Sequence, residues 1–225
     1  MNHKNVRAIV LKRIDYGEAD RILTLLTDSL GQISAIAKGS RKINSKLAAG
    51  IEPLAVNQIS LIAGKSDMHT VTSARSDTNF RHLLEDYETT QAAFFVMKLA
   101  SKIHLSEAEP WLFETVVTSL KSLDDGMDRQ ITKLWSILTM LQQLGHFPDL
   151  EQADDGSALS ESKSYRLDYT HGTLSVGGPL ASQHIKLWRL CEKYQPHQLD
   201  KVNGARAAAS ESLLSAEQAI NYTLN

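Results

Sequence analysis

A chain of 225 residues with 42% hydrophobic and 22% charged content carries enough apolar side chain for a packed core, which excludes a globally disordered protein. No window reaches the ~18 uninterrupted apolar residues of a membrane span, and a lone cysteine, Cys191, excludes an intrachain disulfide or a cysteine-based zinc site. The formal net charge is −2, but residues 1–80 hold 11 Lys and Arg against 7 Asp and Glu, and residues 81–225 hold 13 against 19. A basic N-terminal module on an acidic remainder points to polyanion binding by the first part alone. The N-terminus opens straight into a strand pattern without an apolar leader, so the expected compartment is the cytoplasm.

In chain order, residues 6–16 are rich in Val and Ile and read as a strand, followed by a turn punctuated by Gly17. Residues 21–27 and 32–37 read as a second and third strand joined by a connection of hairpin length. Residues 54–63 and 68–74 read as a fourth and fifth. Five short strands in about 75 residues predict a small barrel. An OB-fold fits that count, and an SH3-like barrel fits it nearly as well.

Between the third and fourth strands lies Ala37-Lys38-Gly39-Ser40-Arg41-Lys42-Ile43-Asn44-Ser45-Lys46, with four cations and no acid. The acid-free zone runs from Ser29 to Ile51. A basic, Gly- and Ser-containing segment between strands predicts a mobile loop that presents charge to a polyanion. A solvated loop without function has the same composition.

At Asn79 the apolar period changes from two to about 3.6, and Phe80, Leu83, Leu84, Tyr87, Phe94 and Phe95 fall at helical spacing. A helix or helix pair is expected to about residue 105. Pro110 opens another, and Asp128 caps a third that Gly145 stops. The stripes of these helices read as a packed bundle core. Residues 150–163 read as a polar loop, 165–176 as a hairpin closed near Gly172, and 182–194 and 205–224 as two more helices. The class is therefore α+β: a five-stranded barrel over residues 1–78, a helical domain over 79–148, and a small mixed hairpin and helix region over 149–225.

Read together, several segments resemble the RecO family of recombination mediators. They are Ala8-Ile9-Val10-Leu11, Asp15-Tyr16-Gly17-Glu18-Ala19-Asp20-Arg21, Ala37-Lys38-Gly39-Ser40-Arg41, Ser45-Lys46-Leu47 and Glu52-Pro53. Asp67-Met68-His69-Thr70-Val71 and Leu141-Gln142-Gln143-Leu144-Gly145-His146-Phe147-Pro148 extend the match. The resemblance is densest over residues 6–80, thinner to about 150 and faint beyond. It implies an N-terminal OB-fold, binding of single- and double-stranded DNA, and annealing of complementary strands. It also implies binding of the acidic, Phe-ended tail of SSB, and loading of RecA with RecR, with RecF as a further functional link. No enzymatic step and no cofactor is implied, and the expected place of action is the nucleoid. Many relatives carry a four-cysteine zinc site after the segment matching Leu144-Gly145. Residues 149–176 contain no cysteine, so the expectation is a zinc-less variant whose hairpin is held by packing. A basic C-terminal tail of relatives would begin about where this sequence ends, so further DNA contacts are expected if the natural chain continues.

Annealing needs phosphate repulsion lowered, bases left accessible and two strands held close. The candidate DNA contacts are Lys38, Arg41, Lys42 and Lys46, then Lys12, Arg13, Arg21 and Lys65, with Tyr16 as the only aromatic before Phe80. Arg21 has the alternative of pairing with Asp15, Glu18 or Asp20. Four neutralised phosphates predict a log–log salt slope of about −3 and an affinity loss of about 50-fold between roughly 50 and 200 mM salt. An SSB tail needs an apolar slot between helices with a cation at its rim. Arg129 and Lys133 beside Leu134, Ile137, Leu138 and Leu141 are the candidates, although the apolar members also fit a packed core. Eight scattered histidines without H-x-x-x-H spacing offer no catalytic constellation, and Asp67 with His69 reads as a surface pair. The competing reading is an OB-fold interaction scaffold that binds protein and not DNA.

Overall fold

The computed structural model describes residues 3–64, 68–104 and 109–225. Its contacts divide the chain into two compact units, Met1–Lys121 and Ser122–Asn225, which cut across the three segments read from sequence.

In the first unit, β1 (His3–Tyr16), β2 (Asp20–Thr27), β3 (Gly31–Ala37), β4 (Ala55–Ile62) and β5 (Met68–Asn79) close into a barrel of order β1-β2-β3-β5-β4. The parallel pairing of β3 with β5 closes the ring and decides for the OB-fold over an SH3-like barrel. Alternation fills the interior: Val6, Ala8, Val10, Leu23, Leu25, Ala35, Ala37, Ile59, Leu61 and Val71 form one buried cluster. Ile51, behind the 3-10 turn Ala48–Gly50, joins the same cluster.

A β-bulge between Val10 and Lys12 shifts the register of β1 by one residue. Before it, even-numbered side chains point into the barrel. After it, Arg13 pairs with the inward Leu23, while Ile14 pairs with Ile22 on the outer face. β5 carries two further irregularities, at Ser60/Leu61 and Val56/Asn57 of its ladder with β4.

β5 runs to Asn79, five residues beyond its expected end, so no helix begins there. A 3-10 turn, His82–Leu84, comes first, and α1 (Tyr87–Lys102) starts where Asp86 accepts the Thr89 N–H at 2.8 Å. Phe80 and Leu83 are buried, but Leu84 and Tyr87 stand exposed, so the expected stripe is not one helical core face. α2 (Pro110–Asp124) follows, and its part within this unit buries Leu112, Phe113, Val116 and Leu120.

In the second unit, α3 (Arg129–Gln143) is capped by Asp128, whose carboxylate accepts from Gln130 and Ile131. It ends in a Schellman motif: His146 N–H reaches Leu141 O at 2.8 Å and Gly145 N–H reaches Gln142 O at 3.1 Å, with Gly145 at φ 77°. β6 (Tyr165–Asp168) and β7 (Thr173–Val176) form the hairpin. Buried Tyr165, Leu167, Leu174 and Leu180 hold it, and Tyr165 OH accepts the Ser160 N–H at 2.7 Å. α4 (Ser182–Cys191), the short α5 (Pro196–Leu199) and α6 (Ala205–Thr223) complete the unit. α3 and α4 both pack on α6, where the buried Trp188 donates to Ser212 Oγ at 3.0 Å. Burial pushes the Cys191 thiol up to about 12. Among the described residues, no helix is long and apolar enough to cross a membrane.

Candidate nucleic-acid interface

The acid-free segment is tied down rather than a loose flap. Gly39 turns at φ 64° and donates its N–H to Asp20 Oδ1 at 2.7 Å. Arg41 donates its N–H to Ala19 O at 2.9 Å and a guanidinium N–H to Gly17 O at 3.3 Å. The segment thus folds onto the β1–β2 turn, and the chain returns to the barrel through Gly50. A Cβ at Gly50 would lie 2.3–2.5 Å from the backbone of Ala74 and Arg75.

The structure sorts the candidate cations by their partners. Asp15 is the hub: Oδ1 lies 3.2 Å from Arg21 Nε and Oδ2 lies 3.3 Å from Arg41 Nε. Arg13 pairs with Glu52 at 2.6 Å. Arg13, Arg21 and Arg41 are therefore partly neutralised by neighbouring carboxylates. Lys38, Lys42 and Lys46 on the loop, and Lys12 on β1, are exposed and have no carboxylate partner among the described residues. Lys65 and Asp67 lie outside the described residues. The expected pair of Asp67 with His69 therefore also falls outside the described residues, and His69 Nδ1 is buried without a hydrogen-bond partner among them.

Replacing Asp15 by Ala releases the guanidinium groups of both Arg21 and Arg41 without touching a lysine, and of the two only Arg41 lies on the loop. The expected result is about a fivefold gain in oligonucleotide affinity near 100 mM salt, with a salt slope steeper by about 0.7. Fluorescence anisotropy at several salt concentrations checks both.

One feature of this face escaped the sequence pattern. Ile14, Ile22 and Ile36 are in register across β1, β2 and β3 on the outer side of the barrel. Ile14 is 48% exposed, and Tyr16, two residues further along β1, is 54% exposed. Ile43, on the basic loop, is fully exposed. An apolar row flanked by Lys12 on the sheet, with the basic loop at the strand end, offers backbone neutralisation and a surface for base faces together. Only the bulge in β1 reveals this row, because uninterrupted alternation would point Ile14 into the barrel.

In the second unit, Leu134, Leu138 and Leu141 are all buried, and Lys133 Nζ lies 3.0 Å from Glu217. Arg129 likewise has a partner. The α3 leucines serve the core and present no slot. A groove of about 480 Å³ lies elsewhere in the unit, between α4 and α6. Leu187, Leu190, Val202 and Ala208 line it, with Lys186 at the rim, 2.6 Å from Glu161.

Two family models match the chain. The one described as recombination protein O N terminal covers residues 1–80, and the one described as recombination protein O C terminal covers residues 84–216. A protein of Dehalococcoides mccartyi (strain ATCC BAA-2100 / JCM 16839 / KCTC 5957 / BAV1) named DNA repair protein RecO is 27% identical over 227 residues, covering 97% of this chain and 89% of its own. A protein of the same name from Roseiflexus sp. (strain RS-1) is 32% identical over 222 residues, covering 93% and 77%. Another from Bacillus subtilis (strain 168) is 33% identical over 143 residues, covering 63% and 56%.

Proposed function

The chain belongs to the RecO family of DNA repair and recombination proteins, and from that premise we propose that it binds single- and double-stranded DNA, anneals complementary strands and, with RecR, helps load RecA onto SSB-coated DNA. The observation that carries the reading is the tethered loop with Lys38, Lys42 and Lys46 exposed and without carboxylate partners among the described residues. The work is done on the nucleoid, in the cytoplasm. No bond is made or broken, so no general base is required. The lysines lower the repulsion between phosphates, and the row Ile14, Ile22 and Ile36 with Tyr16 gives unstacked bases an apolar face. With one aromatic before Phe80, stacking is weak, which suits a protein that must release its strands.

The SSB tail, acidic and ending in Phe, is the proposed ligand of the second unit. The α4–α6 groove supplies an apolar slot with the Lys186–Glu161 ion pair at its rim, which an acidic tail would have to open, and Val202 is 40% exposed on its wall. The decisive assay is annealing of complementary oligonucleotides coated with SSB. Wild type is expected to anneal them, to fail when SSB lacks its tail, and to fail as Val202→Glu, which places a carboxylate where the acidic tail would lie. Val202→Glu is expected to weaken binding of a tail peptide about tenfold while annealing naked strands normally. Annealing that survives both changes would overturn the docking site. No annealing of naked strands by wild type would overturn the reading itself and leave the protein-only scaffold.

A further inference from the structure

Annealing requires two backbones, and the basic loop is one place to hold a backbone. A different part of the barrel carries a second set of donors. On the outer face of β1, β4 and β5, two rows of side chains stand in register. Asn5, Ser60 and Ser73 form one, and Arg7, Gln58 and Arg75 form the other. A shallow cup of about 290 Å³ opens over them, lined by Asn5, Gln58, Ser60, Ser73 and Arg75. The ladder irregularities on β5 flank this stretch on both sides, and such bulges re-aim side chains.

The hydrogen bonds inside the cup run one way. Ser73 Oγ donates to Ser60 Oγ at 2.8 Å, and Ser60 Oγ donates to Asn5 Oδ1 at 2.7 Å. This chain uses both hydroxyl protons and turns the Asn5 amide so that its Nδ2 has no acceptor among the described residues. The Gln58 amide and the Arg75 guanidinium also have no side-chain acceptor there. Arg7 in the same row is already engaged: its Nε is 3.6 Å from Asp77, and its guanidinium lies 5.5 Å from the centre of the Phe113 ring. The cup therefore holds one amide donor at the end of a hydroxyl chain and a second in the adjoining row, beside a cation without a carboxylate partner among the described residues. That chemistry suits an anion with several acceptor oxygens. Arg75 presents a planar fork of N–H groups, which matches a phosphate in two-point contact.

We infer that this cup is a second phosphodiester-binding site, which holds the backbone of the complementary strand while the basic loop holds the first. The inference rests on the reading of the chain as a strand-annealing protein. The cup lies toward the start of β1 and the basic loop meets the turn at its end. The loop returns to the barrel at Gly50, where a Cβ would lie 2.4 Å from Arg75 N, so the cup adjoins the far end of the loop. Two backbones held at the loop and at the cup would therefore lie close, as pairing of their bases requires.

The test uses the full chain and oligonucleotides of about ten nucleotides, titrated to saturation. Wild type is expected to bind two per chain at low salt. The double variant Gln58→Ala/Arg75→Ala is expected to bind one, with first-site affinity unchanged, and to anneal naked complementary strands about fivefold more slowly. Arg75→Lys, which keeps the charge but loses the fork, is expected to fall between. Both positions are on the outer face, and a circular dichroism melt matching wild type shows the fold intact. A stoichiometry that stays at two, or annealing at the wild-type rate, overturns the second site and leaves the family reading standing. Wild type that binds no oligonucleotide overturns both.

Discussion

Replacing Lys38, Lys42 and Lys46 together by Ala is expected to weaken single-strand binding by about 100-fold near 100 mM salt and to remove most of its salt dependence. Each lysine that meets a phosphate releases a counterion, so three contacts give wild type a log–log slope of about −2. The loop's share of the affinity should then fall about 20-fold between roughly 50 and 200 mM salt, and the triple variant should keep only the shallow dependence that Lys12 and Arg75 supply. This slope is shallower than the value of about −3 expected from four loop cations, because Arg41 is already engaged by Asp15. An oligonucleotide titration at four salt concentrations separates the two slopes. A triple variant with wild-type affinity and slope would show that the loop is solvated decoration and return the barrel to the scaffold reading. The lysines are exposed and make no ion pair among the described residues, so their loss should leave the melting temperature in place.

Gly50→Ala is expected to cost about 3 kcal/mol of stability, although it adds a single methyl group. The new Cβ would meet Ala74 C at 2.3 Å, Arg75 N at 2.4 Å and Ala74 O at 2.5 Å. These are backbone atoms of β5, held in the ladder to Gln58 and Ile59 of β4, so they cannot move aside as a flexible side chain would. Relief requires the 3-10 turn to lift off the barrel, which takes the neighbouring Ile51 out of the core. A thermal melt should fall by on the order of 10 °C. Ala49 next door is exposed, and Ala49→Gly makes the control. If Gly50→Ala melted with wild type, the close approach of turn and strand would not exist in solution.

The barrel was legible because its signals are local. Val6, Ala8 and Val10 alternate, as do Leu23, Leu25 and the β3 alanines, and the turns between them carry Gly17 and Gly31. The caps were equally plain, since Asp128 and Gly145 bracket α3 through chemistry contained in a few consecutive residues. What stayed hidden depends on pairing across the chain. The bulge in β1 has no composition of its own, yet it exchanges the two faces of everything after Val10. The same sequence alternation that buries Val10 therefore exposes Ile14 and Tyr16. Likewise, Lys38 and Arg41 look alike on paper. Only the folding of the loop onto the β1–β2 turn brings Asp15 within reach of one and not the other. The leucines of α3 illustrate the reverse. A helical stripe beside Arg129 and Lys133 is compatible with a slot or a core, and the packing of α6 against α3 makes it a core.

Cys191 is the only thiol in the chain, and it is both enclosed and held almost wholly protonated at neutral pH. A maleimide dye finds no native target on the folded protein. A single engineered position, Asn44→Cys on the exposed loop, then becomes the sole point of attachment. Labelling chemistry that usually demands a cysteine-free background is open here on the natural sequence, and a fluorophore at residue 44 can report the arrival and departure of each strand in real time.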